Sequence, residues 1–190
     1  MRALKKKLYL IYLFLVASQL HLAYAQQYTP LPPEADHFDL LPSAEYFYDD
    51  SKQLTLDQVA ELNHMFLPFR EKTLAPWSPT TWVKTSIKNQ GQEHLTWYLQ
   101  IDILWAPRFN VFSVSDGQAK QLLALDSDSA FTDRPIQERM LIIPVTVKAG
   151  EQLTLYLHYS STFDIQSLEL FSHKALIRYL TRNNLFNGMV

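Results

Sequence analysis

The sequence predicts an all-β fold, a jelly-roll-like antiparallel β-sandwich, and three features support this prediction. Between residues 81 and 171, apolar and polar side chains alternate with a period of two, as in strands with one buried face. The turn sequences NQG at 89–91, SDG at 115–117 and KAG at 148–150 interrupt the alternation. Short strands with turns at intervals of roughly ten residues are typical of an antiparallel sandwich.

Three of the predicted strands have an apolar face, and these faces are expected to meet in the core. The apolar positions alternate along each strand, and they are Leu95, Trp97, Leu99 and Ile101, then Leu141, Ile143, Val145 and Val147, then Leu153, Leu155, Leu157 and Tyr159. Core packing is therefore predicted for the indole of Trp97. Pro144 lies inside the second strand and has no amide hydrogen to donate, so that strand is predicted at an edge or a bulge.

The first 25 residues are predicted to be a secretory signal peptide. They begin with a basic cluster and continue into an apolar run from Leu8 to Val16. Ala23 and Ala25 are the small residues of a cleavage site, so the mature chain is expected to begin at Gln26. An N-terminal membrane anchor is the alternative, but the run is shorter than the roughly 20 residues of a spanning helix. The protein is therefore expected to be exported.

Charge and cysteine content exclude several classes of partner and site. The chain has 17 Lys and Arg residues against 19 Asp and Glu, and four of the basic residues lie in the predicted leader, so 13 basic residues remain and the mature net charge is −6. Nucleic acids and anionic membrane surfaces attract clustered basic residues, so neither is expected as a partner. Without cysteine the fold has no disulfides or thiolate metal ligands, which favours a bacterial envelope protein.

The segments before the alternating region have a different character. Residues 26–43 contain four prolines and no periodicity, so they are predicted to form an extended lead-in that joins a sheet near residues 44–50. Thr55 and Gln58 have the spacing of a capping box, and apolar residues then recur at helical intervals. One short helix is therefore predicted near the N-terminal side of a sandwich domain that spans residues 44–173.

Sequence motifs for catalysis or metal binding are absent. The patterns GxSxG, GxGxxG and HExxH do not occur, and no two of the six histidines have metal-ligand spacing. Asp126 and Asp128 could offer oxygens to Ca²⁺, but their loop lacks the glycine and the closing glutamate of a calcium loop. A glycan-active enzyme needs two carboxylates roughly 5–10 Å apart, and no spacing selects a pair among Asp49, Asp50 and Asp102. A non-catalytic domain without cofactor or metal is predicted.

The polar faces of the strands supply the candidate ligand-binding residues. Aromatic, amide, carboxylate, imidazole and amino groups recur opposite the apolar positions, and they belong to Trp82, Lys84, Tyr98, Gln100, Asp102, Tyr156 and His158. This mixture provides a stacking surface with directed donors and acceptors, so these residues are predicted to form one face for a polar, ring-shaped ligand. The alternatives are that the lead-in covers Trp82 and that the other side chains only solvate an exposed sheet.

Two arginines in the segment DRPIQERM extend the candidate site. Arg134 and Arg139 flank a loop that Pro135 stiffens, and a guanidinium group can hold a carboxylate or phosphate at two points. Both could close one end of the ligand face and favour an acidic ligand. The alternative is a structural clamp on Asp133, Glu138 or a neighbouring carbonyl.

The order of several segments resembles a known family of sensor domains. They are SPTTWVKTSIKNQG, TWYLQIDI, FNVFSVSDG, FTDRPIQERMLIIPVTVKAGEQLTLYLHYSS and LELFSHKAL, within residues 44–187. This succession is similar to the type 2 extracellular sensor domain of bacterial seven-transmembrane receptors with diverse intracellular signalling modules. Its most specific part is RPI…R…P…G…LYL. Family members usually have an aromatic residue and Leu-Arg where this chain has Trp82, Val83 and Lys84, so the charge is kept and the guanidinium fork is lost.

The resemblance implies a periplasmic sensor with a carbohydrate-binding-like jelly roll and a small-molecule ligand, either sugar-like or an organic acid. It implies that the helical residues 174–190 are a juxtamembrane segment, cut before the first transmembrane helix of an inner-membrane receptor. Such receptors often end in a diguanylate cyclase or a histidine kinase, and a dimer is one expected assembly. The competing interpretation is a periplasmic sandwich that binds another envelope protein.

Overall fold

The computed structural model of this protein describes residues 28–72, 80–104 and 106–187, with side chains as far as residue 182. The predicted signal peptide, its cleavage site, Trp77 and Trp105 lie outside the described residues. Within them, the strands are β1 (Thr29–Leu31), β2 (His37–Asp39), β3 (Glu45–Asp49), β4 (Leu67–Pro68), β5 (Thr80–Asn89), β6 (Leu95–Ile103), β7 (Arg108–Ser115), β8 (Gln118–Asp126), β9 (Leu141–Val147), β10 (Gln152–Ser160) and β11 (Ile165–Phe171). The α-helices of this region are α1 (Leu56–Glu61) and α2 (His173–Asn187).

The strands form two packed sheets, which confirms the predicted all-β antiparallel sandwich. The larger sheet has the strand order β4-β3-β5-β10-β7-β8, with β1 added in parallel beside β5. The smaller sheet has the order β2-β11-β6-β9. From β5 onward the chain changes sheet at each connection except the β7–β8 hairpin. Each sheet is therefore built from strands that are distant in sequence.

The core lies between the two sheets and contains the predicted apolar faces. Leu99 in β6 and Leu155 in β10 are fully buried, and Trp97 is 2% exposed. The apolar positions predicted in β9 and β10 are all buried as well. The alternation predicted the inward face of these strands correctly, because the inner face of each sheet packs against the other sheet.

Two local predictions, a turn and an edge strand, are also confirmed. β7 and β8 are joined by Asp116 and Gly117, whose φ angles are 49° and 72°. Positive φ at both central residues matches a type I′ hairpin turn, which the Asp-Gly sequence favours. Pro144 lies in β9, which is the edge strand of the smaller sheet.

The lead-in contributes strands to both sheets. β1 runs parallel to the end of β5, from Thr29 beside Ile87 to Leu31 beside Asn89, and β2 pairs with β11. Leu31 and Leu40 are fully buried. Residues 28–43 are thus part of the sandwich although they show no alternation, because each pairing is only three residues long.

Helix α1 has the predicted capping box and lies over the outer face of the larger sheet. Backbone N–H of Gln58 donates to Oγ1 of Thr55 at 3.5 Å, and backbone N–H of Thr55 donates to Oε1 of Gln58 at 2.9 Å. Val59 is the buried residue of α1 and belongs to a small apolar cluster with Phe66. This part of the sheet is therefore covered.

Helix α2 covers the outer face of the smaller sheet, in agreement with the predicted C-terminal helical segment. Ala175 and Leu176 pack with Ile142 and Phe171 in an apolar cluster outside the main core, here called the α2 cluster. In the part of the chain that the structure describes, neither helix is long and apolar enough to cross a bilayer.

A buried ion pair ties the segment after α1 to the core. The side chain of Lys72 is 3% exposed and pairs with Asp164. Its Nζ also lies 5.3 to 5.8 Å from four ring centroids, those of Tyr46, Tyr48, Phe69 and Tyr159. Burial lowers the pKa of Lys72 because it disfavours the charged form, and the hydrogen bond to Asp164 opposes this effect.

Candidate functional site

The structure separates the nine predicted ligand-binding residues into three groups. Trp82, Lys84, Tyr156 and His158 lie on the outer face of the larger sheet, Tyr98 and Gln100 on the outer face of the smaller sheet, and Asp102, Arg134 and Arg139 along a cleft at one end of the sandwich. The prediction that the strand residues form one ligand face is wrong. Their strands belong to different sheets, and the outer faces of two packed sheets point in opposite directions.

Trp82 is covered, with 2% of its surface accessible. Val59 of α1 and Phe66, which follows α1, pack with it, so residues 56–66, here called the α1 segment, cover Trp82 and the lead-in does not. Its indole stacks on the imidazole of His158 with ring centroids 4.3 Å apart, and on Phe112 with centroids 6.1 Å apart. A ligand could stack on Trp82 only after α1 had moved away.

Lys84 and Tyr156 line a polar cavity of about 470 Å³ on the outer face of the larger sheet, here called the outer-face cavity. Nζ of Lys84 lies 2.6 Å from Oε2 of Glu45 and donates to Oδ1 of Asn63 at 2.5 Å. Burial raises the pKa of the Tyr156 phenol, and the negative charge of Glu45 adds to this effect. Because of its contacts with Glu45 and Asn63, the ammonium group of Lys84 is already paired within the protein.

Tyr98 and Gln100 lie on the side of β6 that α2 covers. The hydroxyl of Tyr98 is 3.2 Å from Nδ1 of His173, and Gln100 is 1% exposed. Oε1 of Gln100 accepts no hydrogen bond from the described residues. Alternation predicted that Tyr98 and Gln100 face away from the core, and they do. Helix α2, near the C-terminal end of the chain, covers this side of β6.

A cleft opens at one end of the sandwich, where β6 and β8 end and β7 and β9 begin, and it is called here the end cleft. Both sheets contribute to it, and its volume of about 480 Å³ lies within the roughly 300–1,000 Å³ typical of small-molecule sites. Its charged lining residues are Asp102, Asp126, Arg134 and Arg139. Apolar side chains also line it, among them Leu104, Leu125, Phe131 and Met140.

Arg134 stabilises the β8–β9 connection. Its Nη1 donates to the carbonyl oxygens of Glu138 and Arg139 at 3.0 and 3.1 Å. The guanidinium carbon also lies 5.0 Å from the ring centroid of Phe131. Arg134 is thus a clamp on neighbouring carbonyls, which was the alternative to a ligand-binding role.

Asp126 is bonded to the loop that follows β8. Its Oδ1 accepts hydrogen bonds from the backbone N–H of Asp128 and from Oγ of Ser129, both at 3.0 Å. The N–H of Asp128 is the largest cause that holds the pKa of the Asp126 carboxyl below its usual range. The loop that contains Asp126 and Asp128 is therefore internally bonded, and no group of three potential metal ligands occurs among the residues that the structure describes.

Asp102 and Arg139 differ from the other two charged groups. Neither side chain forms a hydrogen bond or an ion pair with a described residue, and they do not pair with each other. The register of β11 shifts between Ile165 and Ser167, beside Asp102. Asp102 is the next-to-last residue of β6 and so lies at the end of the sandwich that opens into the cleft, whereas Gln100 lies two residues earlier, on the part of β6 that α2 covers. Among the described residues that line the cleft, Asp102 is thus a free anion and Arg139 a free cation.

The β8–β9 connection lines the end cleft and packs against the α2 cluster. Met140 lines the cleft and packs against the α2 cluster, and Ile136 packs against the same cluster. Sequence reasoning selected Arg134 and Arg139 in this segment but missed Met140, because a single apolar residue in a loop belongs to no periodic pattern. A movement of this connection would change the packing of the α2 cluster, to which Ala175 and Leu176 of α2 belong.

Comparison with known proteins agrees with the resemblance seen in the sequence. The model of the family described as 7TMR-DISM extracellular 2 matches residues 41–170, a stretch that includes all nine predicted ligand-binding residues. No curated protein matches the sequence. Because the family match covers more than half of the chain, this protein belongs to the 7TMR-DISM extracellular 2 family, the extracellular sensor domains of 7TMR-DISM receptors.

Proposed function

We propose that this domain is a non-catalytic periplasmic sensor of a bacterial receptor and that it binds a small polar molecule in the end cleft. Family membership supplies the sensor role. The observation that supports the cleft as the site is its free charge, because Asp102 and Arg139 line it without partners among the described residues. Polar groups of a ligand could therefore bond to both without breaking an existing contact.

Two other cavities among the described residues support ligand binding less well. In the outer-face cavity, Lys84 is already paired with Glu45. A groove of about 520 Å³ lies between α2 and β11, where Arg178 already pairs with Asp36 at 2.5 Å and Glu169 lies 3.1 Å from the imidazole of His37. A ligand would have to compete with these ion pairs, so the gain from each new contact would be smaller.

A sensor also needs a route from its ligand to the rest of the receptor, and the β8–β9 connection supplies one. Arg139 lines the end cleft, and the next residue, Met140, packs against the α2 cluster. A ligand that draws Arg139 inward would change the packing of Met140 against α2. We place the output at α2, on the side of the domain nearest the inner membrane, in a receptor that could act as a dimer.

A sugar-like molecule or an organic acid fits this cleft. The free guanidinium and carboxylate can bond to hydroxyl groups, and the guanidinium can hold a ligand carboxylate at two points. Phe131 is 51% exposed and lines the cleft, so its ring adds apolar surface for the carbon skeleton of either class of ligand. Both classes therefore belong in the first ligand screen.

Binding to another envelope protein is the competing function, and one feature favours it. Met65 and Leu67 lie two residues apart on the segment after α1 and are 50% and 52% exposed. Neighbouring exposed apolar side chains are typical of protein interfaces. A partner bound there would be lost in Met65→Ser and unaffected by changes in the end cleft.

Thermal unfolding with candidate ligands tests the small-molecule proposal. Cell-wall sugars and organic acids are added to the purified mature protein, and a ligand of the folded state raises Tm by mass action. We expect Asp102→Asn and Arg139→Gln to abolish the rise. The control Arg70→Gln removes a guanidinium group from the outer-face cavity and should leave the rise intact. A rise lost only in Arg70→Gln would place the ligand in that cavity and reject the end cleft.

A further inference from the structure

We propose that the end cleft recognises a zwitterion of the α-amino acid class that has an apolar side chain. This inference rests on the proposed function and specifies its ligand. In the complex, Arg139 would hold the ligand carboxylate and Asp102 would hold the ligand ammonium group. The apolar side chain of the ligand would lie against Leu104 and Phe131.

The first argument is that the cleft offers two free charges of opposite sign. Arg134 and Asp126 are already bonded to their own loop, so Asp102 and Arg139 remain for a ligand. Binding removes water from both groups, and a charged group that loses water without gaining a partner costs free energy. A ligand with only one charge would leave one of them unpaired, whereas a zwitterion supplies a partner to each.

The second argument concerns the total charge of the cleft. Its lining has two carboxylates, Asp102 and Asp126, and two guanidinium groups, Arg134 and Arg139. These charges sum to zero, so the lining gives no net attraction to a dianion or a dication. A molecule that is neutral overall but has separated charges complements such a lining best.

The third argument is the apolar surface beside these charges. Leu104 is 71% exposed and Phe131 is 51% exposed, and both line the cleft. Exposed apolar side chains grouped at a concave site are typical of ligand-binding surfaces. An apolar ligand side chain would cover them, whereas a uniformly hydroxylated sugar would cover Leu104 at a loss of its own hydration.

Isothermal titration calorimetry with matched ligands tests the inference on the mature protein. L-leucine and L-phenylalanine are compared with their N-acetyl derivatives, which lack the ammonium group, and with their amides, which lack the carboxylate. We expect each derivative to bind roughly 10- to 100-fold more weakly, the usual effect of losing one charge-assisted hydrogen bond. Glucose and succinate are the comparison ligands for the sugar and organic acid classes.

The variants assign each charge to one end of the ligand. Asp102→Asn should weaken L-leucine binding but should not weaken N-acetyl-leucine binding, because that derivative has no ammonium group and leaves Asp102 unpaired. Arg139→Gln should weaken L-leucine binding but should not weaken leucinamide binding, because the amide leaves Arg139 unpaired. Arg70→Gln, in the outer-face cavity, is the charge-matched control and should have no effect on either ligand.

The remaining outcomes separate this inference from the proposed function. One outcome is that glucose or succinate binds, that both cleft variants abolish this binding, and that neither amino acid binds. The end cleft is then a binding site, but the inference that its ligand is a zwitterion is wrong. If the amino acids bind equally well to both cleft variants, the end cleft itself is rejected. Derivatives that bind as tightly as the free amino acids also overturn the inference.

Discussion

The imidazole of His158 lies flat on the indole of Trp82, with ring centroids 4.3 Å apart and ring planes 17° from parallel. Both residues belong to the outer face of the larger sheet, where Val59 and Phe66 cover Trp82. Trp82 is buried and His158 is half-buried, so the stack has consequences for stability and for its dependence on pH.

We expect the domain to lose stability as the pH falls below about 6.5 because of His158. Burial lowers the pKa of the folded imidazole, with Arg108 adding to the effect and Asp49 opposing it. Below the unfolded pKa, the unfolded chain takes up a proton that folded His158 does not, so acidification favours unfolding until the folded pKa is passed. Urea unfolding from about pH 8 to about pH 5 measures the loss.

The variant His158→Gln should flatten this pH dependence, because it removes the group that titrates differently in the two states. His94→Gln is the matched control, since His94 is exposed, and it should keep the wild-type slope. An unchanged slope in His158→Gln would show that another group causes the acid sensitivity.

Trp82→Ala should destabilise the domain by about 3–5 kcal/mol, since it removes a buried aromatic side chain and leaves a cavity. The position of Trp82 under α1 replaces the expectation that its indole is an exposed stacking surface for a ligand. Phe163→Ala, at a position that is 44% exposed, is the control and should cost less than about 1 kcal/mol. Chemical denaturation of both variants gives the comparison, and equal losses would contradict the burial of Trp82.

Leu99→Ala and Gln100→Met test the two faces of β6. Leu99 is fully buried between the sheets, so its truncation should cost about 2–5 kcal/mol. Gln100 is buried under α2 with an unpaired Oε1, so replacing the amide with a thioether of similar size should cost less than about 0.5 kcal/mol or stabilise the fold. Denaturation midpoints measure both effects. A large loss in Gln100→Met would mean that its amide is bonded in solution.

Asp164→Asn should cost about 3 kcal/mol, because it leaves the ammonium group of Lys72 buried without its counter-charge. The double variant Lys72→Met with Asp164→Asn should recover most of this loss, since methionine fits among the four surrounding rings without a charge. A double-mutant cycle on unfolding free energies tests the coupling. Simple additivity of the two changes would contradict it.

Local patterns predicted much of this fold because they depend only on neighbouring residues. Strand alternation placed Leu99 and Leu155 in the core, and the Asp116-Gly117 pair predicted a hairpin turn that the structure confirms. The capping box between Thr55 and Gln58 is likewise formed within four residues. Each of these features depends on residues within one strand or one turn. The local amino-acid sequence is therefore sufficient to predict it.

Tertiary structure decided where the polar residues of the candidate site lie. Alternation showed that Trp82 and Tyr98 face away from the core, but the sheet to which each strand belongs depends on pairings between residues distant in sequence. The covers of these two residues, α1 and α2, likewise result from packing across the fold. By itself the sequence determined which residues face inward. Only the packing of the two sheets brought Asp102 of β6 and Arg139 of the β8–β9 connection to the same cleft.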